Sequence, residues 1–86
     1  YMRNKAYQEI AETLSGAGSA DKAFLTLQNI EDHAFRNKAY AISAKVLNKH
    51  GLVKQAVQAT EQIDDPYIKS NTLLAIMLNA PKADKE

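Results

Sequence analysis

The chain has 86 residues, of which 45% are hydrophobic and 24% charged, a composition typical of one small globular domain rather than of a disordered segment. The net charge of +1 gives no support to a general polyanion-binding role, and the absence of cysteine excludes disulfides, thiol catalysis and zinc–thiolate sites. A cysteine-free chain is compatible with a reducing compartment, and we expect a cytoplasmic protein.

A five-residue segment, Arg3–Tyr7, recurs as Arg36–Tyr40, 33 residues later. Gapless alignment of 1–33 with 34–66 gives eleven identities, and a third copy begins at Tyr67. Self-similarity at this period predicts a stacked repeat. We expect one domain over 1–80 and a polar tail over 81–86, the domain consisting of repeats 1–33 and 34–66 and a partial repeat 67–80. Tyr1 already stands in repeat register with no methionine before it, so we interpret the chain as part of a longer array.

The first repeat is predicted to form two helices. The first, from Met2 to Leu14, has apolar residues with the spacing of one buried helical face: Ala6, Tyr7, Ile10, Ala11 and Leu14. A turn is predicted over 15–19, where glycine allows the positive φ of a helix stop. The second helix is predicted from Ala20 to Ile30, with a buried face formed by Ala23, Phe24, Leu27 and Ile30.

The second repeat follows the same plan, and a fifth helix ends the domain. Gly51 is predicted to end the third helix. Asp65, and Asp32 one repeat earlier, are predicted N-caps, while Pro66 suits a first helical turn. The predicted bounds of the remaining helices are Ala34–His50, Leu52–Ile63 and Pro66–Asn79, the last stopped by Pro81. Short turns predict antiparallel neighbours, and strand signals are nearly absent, so the predicted fold class is all-α with five helices.

Each repeat carries bulky and small residues in a fixed order. A bulky residue precedes an aliphatic, a small and a second bulky residue in the first helix; a turn glycine and a small second-helix residue follow. The first copy supplies Tyr7, Ile10, Ala11, Leu14, Gly18 and Ala23, and the second Tyr40, Ser43, Ala44, Leu47, Gly51 and Ala56. This order resembles the tetratricopeptide (TPR) repeat family, and the resemblance covers almost the whole chain.

The sequence also departs from the TPR pattern. The period is 33 rather than about 34, Ser43 replaces an aliphatic residue, and Ile30 and Ile63 stand where a small residue is usual. Pro66 lies slightly early, and His33 takes its place one repeat before. The alternative is another αα-solenoid. The resemblance implies a right-handed αα-superhelix of two TPR-like helix pairs plus a terminal helix.

In TPR proteins the first helices of the pairs line a concave groove that binds an extended or helical peptide. The resemblance therefore implies a partner-binding surface here, without a cofactor. Its residues would be Lys5, Gln8, Glu12, Lys38, Ala41, Lys45, Lys49, Asn71, Leu74 and Leu78.

A row of lysines lies within this predicted surface. Lys38, Lys45 and Lys49 have the spacing i, i+7 and i+11, which places them on one helix face, and Lys5 extends the row. One interpretation is a cationic groove for an acidic peptide or a terminal carboxylate. The other is a solvated face on which Lys45 pairs with Glu12.

The last helix is apolar on nearly every side, through Ile68 and the run 73–78. A terminal solenoid helix is expected to have a polar outer face. Two interpretations therefore stay open: the helix packs on a following helix of a longer chain or on a second copy of itself, or it binds a partner. The run is far shorter than the about 20 residues of a membrane span, so no membrane association is expected.

The remaining polar and aromatic residues give little support to other functions. Tyr7 and Tyr40 are predicted core residues, while Asn4 and Asn37 either bind a peptide backbone or bridge adjacent repeats. His33 and His50 are not expected to bind a metal, and no phosphate loop or nucleophile motif is present. The lysine row has no interleaved aromatic residues, which argues against nucleic acid.

The sequence thus predicts a protein-interaction scaffold that is not an enzyme. The alternative is a structural or self-associating repeat segment of a larger protein, with no ligand of its own.

Overall fold

The structure is a computed structural model that describes residues 2–79. It contains five α-helices and, over these residues, no strand: α1 (Met2–Gly16), α2 (Ala20–Leu27), α3 (His33–Lys49), α4 (Val53–Glu61) and α5 (Pro66–Leu78). The prediction of an all-α chain with five helices is confirmed. The predicted helix stop at Pro81 and the predicted tail over 81–86 lie outside the described residues.

The five helices pack in the same scheme twice. The helices α1, α2 and α3 all contact one another, and so do α3, α4 and α5. The helix α3 belongs to both groups, and it is the one helix of the described chain that packs on all four others. This arrangement places α1 and α5 each against α3, with no comparable contact between α1 and α5.

The core is built from alanines and a few large aliphatic residues. The predicted close-packing alanines are confirmed as buried, each with no exposed surface: Ala11, Ala23, Ala44 and Ala56. Their small side chains allow the helix axes to approach closely, and the larger Leu27, Ile30, Leu47 and Ile63 fill the space between them. The two leucines and two isoleucines are all at most 2% exposed.

Glycines end α1 and α3 in the same way. Gly18 and Gly51 have φ of +84° and +82°, in the left-handed region that favours glycine. In both turns the amide after the glycine donates to the carbonyl five residues earlier, at 2.8 Å for Ser19 and 2.9 Å for Leu52. This bond pattern is that of a Schellman motif. The prediction that Gly51 ends the third helix is confirmed.

The predicted end of the first helix at Leu14 is two residues too early. The helix α1 continues to Gly16, and the Ala17 amide still donates to the Thr13 carbonyl at 3.0 Å. The positive φ that stops the helix is found at Gly18 and not at Gly16. The two glycines therefore have different roles, which the predicted turn over 15–19 did not separate.

The predicted ends of α2 and α4 at Ile30 and Ile63 are too late. The helices end at Leu27 and Glu61 and continue into tight turns whose amides bond three residues back, including those of Ile30 and Ile63 at 3.0 and 3.1 Å. Both isoleucines remain buried. These isoleucines fit the apolar spacing of a helix because they are buried, although they lie in the tight turn that follows the last α-helical residue.

The predicted N-caps are confirmed. The Asp32 carboxylate accepts from the Phe35 amide at 2.9 Å, and the Asp65 carboxylate accepts from the Tyr67 and Ile68 amides at 2.9 and 3.1 Å. Pro66 occupies the first turn of α5, as predicted. The helix α3 begins at His33, one residue before the predicted start.

The predicted buried face of α1 is only partly correct. Ala11 is buried and Tyr7 and Leu14 are partly buried against the core, whereas Ala6 is exposed and Ile10 is 49% exposed. The reason is a missing neighbour. The helix α3 has helices on both sides, but within the described residues α1 packs substantially only on α2 and α3, so one side of it stays exposed.

Candidate protein-binding surface

The predicted partner-binding residues lie on α1, α3 and α5. The exposed members are Lys5, Lys38, Lys45, Lys49, Asn71, Leu74 and Leu78, and Gln8 and Glu12 are half-buried. Ala41 is only 9% exposed, which leaves its methyl group little surface for a ligand. Of the ten, the structure brings Lys45 and Lys49 together at a cleft.

This cleft lies between α3 and α5 and has a volume of about 470 Å³. We call it the α3–α5 cleft. The helix α3 contributes two lysines and an amide, and α5 contributes an apolar floor and a second amide: Lys45, Asn48, Lys49, Ala75, Ile76 and Asn79. A cleft with apolar lining and a few polar groups is the usual form of a ligand site.

The predicted partner-binding residues leave out four residues of the cleft, of which Asn48 is the polar side chain on α3; the others are Ala75, Ile76 and Asn79. Asn48 is 3% exposed; its Nδ2 donates to the Asn79 carbonyl at 3.2 Å, while its Oδ1 is buried without a hydrogen-bond partner. Ser15, at the same position of the first repeat, is also buried with an unpartnered Oγ. Comparison of polar residues between repeats, rather than of identical ones, is the signal that would have found this position.

The lysines of the cleft have no acidic partner in residues 2–79. The Lys45–Glu12 ion pair, part of the alternative interpretation of the lysine row, does not form, since the one ion pair of the described chain joins His33 to Asp64. The ammonium groups of Lys45 and Lys49, on exposed side chains one helical turn apart, therefore combine into one positive edge of the cleft. Such an edge attracts carboxylates, an attraction that salt weakens.

The aromatic residues of the repeated segment belong to the core, as predicted. Tyr40 is 3% exposed and its ring centroid lies 6.1 Å from that of Phe24, while Tyr7 is half-buried against the core. Burial raises the pKa of the Tyr40 phenol, and the Arg36 guanidinium acts in the opposite direction. Neither tyrosine lines the α3–α5 cleft.

Asn37 takes neither of the two roles that the sequence left open, because its partner, Asp64, lies in the same repeat, 34–66. Asn37 is 4% exposed; its Nδ2 donates to Asp64 Oδ1 at 2.7 Å, and its Oδ1 accepts from the Asp64 amide at 3.3 Å. It therefore joins α3 to the turn that leads into α5. Asn4, one repeat earlier, is half-buried and forms no such bond, because Glu31 stands where the second repeat has Asp64.

Asp64 is also approached by His33, whose Nδ1 lies 3.3 Å from Asp64 Oδ2 and 3.1 Å from Arg36 Nη2. A protonated Nδ1 donates to Asp64 and a bare Nδ1 accepts from Arg36, so the two contacts are alternatives. Hydrogen bonds from Asn37 and then from His33 lower the pKa of the Asp64 carboxyl. The described residues contain no group of three side chains placed to hold a metal ion.

Of the helices described, none is long and apolar enough to cross a membrane. Comparison of the chain with protein-family models, with curated proteins and with solved structures finds no match.

Proposed function

We propose that the protein is an interaction module that binds a peptide segment of a partner protein, with the α3–α5 cleft as the main contact. The observation that carries the proposal is the chemistry of this cleft. It has an apolar floor at Ile76 and Ala75 beside two lysines without an acidic partner in the described chain. No catalytic role is part of the proposal.

The cleft favours a partner segment in which acidic and apolar residues alternate. Carboxylates would pair with Lys45 and Lys49, and an apolar side chain would pack on Ala75, the partly exposed residue of the apolar floor. A mixed cleft of this kind binds an acidic peptide better than a basic one.

The repeat organisation supports the same reading. The first helices of the repeats, α1, α3 and α5, are neighbours through α3, and the same three-helix packing occurs twice. On this proposal the chain is a right-handed TPR-like αα-superhelix whose concave side carries the cleft. Lys5 and Lys38 would then extend the cationic surface beyond the cleft, as the sequence pattern predicts.

The proposal can be tested with a labelled peptide in which aspartate alternates with leucine, and with a matched peptide in which lysine replaces aspartate. We expect the acidic peptide alone to bind, with NMR shift changes at Lys45, Asn48 and Ile76. The double variant Lys45→Glu, Lys49→Glu should lose binding. The matched control is Lys22→Glu, Lys54→Glu, which makes the same charge change on α2 and α4 and should keep it.

Equal losses in the two double variants would show that only the total charge of the protein matters, and the cleft would be rejected as the site. Shift changes away from the cleft would reject it as well.

A second candidate function is that of a structural or self-associating repeat segment. It is favoured by the apolar side chains that α5 exposes, since Leu74 is 53% exposed and Met77 and Leu78 are each 74% exposed. Contiguous apolar surface of this kind is typical of a protein–protein contact. A protein that acts only in this way would bind neither peptide.

A further inference from the structure

The first and last helices, α1 and α5, expose apolar side chains whose equivalents at the same repeat positions in other helices are buried. On α1, Ala6 and Ile10 are exposed, and Ile10 is 49% exposed. The equivalent residues of α5, 66 positions later, are Thr72 and Ile76, which are 2% and 3% exposed. We call the surface around Ala6 and Ile10 the α1 end face.

The difference between Ile10 and Ile76 comes from the neighbouring helix. In α5 this side is covered because α5 packs on α3. In α1 no helix of the described chain covers it, and a depression of about 360 Å³ remains, lined by Ala6, Glu9, Ile10, Thr13 and Leu14. The α1 end face is therefore the counterpart of the surface with which α5 packs on its neighbour.

At the other end of the chain, α5 exposes the repeat positions that are buried in α3 by the helices packed on it. Leu74 and Met77 are 53% and 74% exposed, whereas their equivalents in α3, Ala41 and Ala44, are 9% and 0% exposed. We call the surface formed by Leu74, Met77 and Leu78 the α5 end face. Leu74 and Met77 are larger than the alanines at their positions in α3, and Leu78 stands where α3 has Lys45, so the α5 end face leaves more apolar surface in water.

We propose that a second copy of this chain binds head to tail, with the α1 end face of one copy on the α5 end face of the other. The two faces repeat the relation that α5 and α3 have within the chain, so the contact between copies continues an interface that already exists inside it. Leu74 and Leu78 of one copy would fill the depression around Ile10 of the next. Such a contact is heterologous and does not close on itself, so further copies can add.

This inference does not depend on the α3–α5 cleft, because none of Ile10, Leu74, Met77 and Leu78 lines that cleft. The test is sedimentation of the whole chain over a wide range of protein concentration. We expect the average mass to rise with concentration and to pass that of a dimer. Ile10→Glu and Leu74→Glu should each weaken association at least about tenfold, because each variant places a charge in an apolar contact.

The mixture of the two variants gives the sharpest outcome. Ile10→Glu keeps an intact α5 end face and Leu74→Glu keeps an intact α1 end face, so an equimolar mixture should form a dimer and stop there. Leu25→Glu is the matched control: Leu25 is 64% exposed on α2, outside both faces, and the variant should associate like the unchanged chain. Circular dichroism checks that all three variants keep their helices.

Three results would overturn the proposal. One is a constant monomer mass of the unchanged chain at every concentration. Another is a mixture of Ile10→Glu and Leu74→Glu that stays monomeric. The third is undiminished association of Ile10→Glu, which would mean that two α5 end faces meet symmetrically. Peptide binding by the cleft would be unaffected by any of these results, so the two proposals fail separately.

Discussion

The side chain of Asn37 pairs with both the side chain and the backbone of Asp64, at 2.7 Å to Oδ1 and 3.3 Å from the amide nitrogen. The two residues are 27 positions apart and connect α3 with the turn before α5. The first repeat has an asparagine at the same position, Asn4, but no aspartate for it to meet. The asparagines of the two copies thus differ in this tertiary interaction, and Asn4 is a control for Asn37.

Replacement of Asn37 by alanine should lower the free energy of unfolding by about 1–3 kcal/mol, because it removes two hydrogen bonds of a buried side chain. Asn4→Ala is the matched control and should change it by less than about 0.5 kcal/mol. Urea denaturation of both variants measures the difference. Similar losses of stability in the two variants would mean that the asparagine stabilises its own helix and that its bonds to Asp64 contribute nothing.

The same contact makes stability depend on pH. The pKa of Asp64 is lowered in the folded chain, so its contribution is present above the unfolded value of about 3.9 and is lost as pH falls through the folded value. Asp64→Asn should therefore be less stable than the unchanged chain at neutral pH, and the gap should close on acidification. Unfolding curves at a series of pH values test this.

Glu61→Gln is the control for this titration, since Glu61 is exposed on α4 and its carboxylate makes no ion pair or hydrogen bond in the described chain. A pH-independent gap between Asp64→Asn and the unchanged chain would contradict the assignment.

Gly51 and Gly16 should respond in opposite directions to replacement by alanine. At Gly51, φ is +82° and a new Cβ meets no atom within 4 Å, so only backbone strain acts, and Gly51→Ala should lower stability by about 1–2 kcal/mol. Gly16 is the last residue of α1, and a Cβ added there would lie 3.8 Å from its nearest neighbour, Nε2 of His50, which is ordinary contact. Gly16→Ala should raise stability by about 0.5–1 kcal/mol. Thermal unfolding of both variants would show opposite shifts; two losses would refute the account.

Ser43→Ala should stabilise the protein. Ser43 has no exposed surface and its Oγ has no hydrogen-bond partner, so loss of the hydroxyl removes an unfavourable buried group and should add about 1 kcal/mol. Thr60→Val is the contrast, because the Thr60 hydroxyl donates to the Ala56 carbonyl at 2.9 Å, and its loss should bring no such gain. Urea denaturation measures the free energy of unfolding of both variants. A loss for Ser43→Ala would indicate that a water molecule satisfies the hydroxyl.

Several features that the sequence predicted correctly are decided within a few residues. Asp32 and Asp65 cap helices because a short carboxylate reaches amides two or three residues ahead. Gly51 ends a helix because its own backbone takes a positive φ. Neither outcome depends on how distant helices pack, so the local pattern was sufficient.

What the sequence could not predict depends on neighbours that are distant along the chain. Ile10 and Ile76 are the same residue at the same repeat position, yet one is half-exposed and the other buried. The α3–α5 cleft is a further example, because Asn48 enters it through its bond to the Asn79 carbonyl, 31 residues away. No periodicity within one helix carries that information.

The position of α3 between all the other helices also has a consequence for how the protein opens. Loss of α1 or α5 leaves α3 with three packed neighbours, so the ends can unfold locally while the centre stays folded. Backbone amides of α3 should then exchange with deuterium most slowly, and only through global unfolding. The stability of α3 thus determines how long the folded state lasts, while α1 and α5 unfold first.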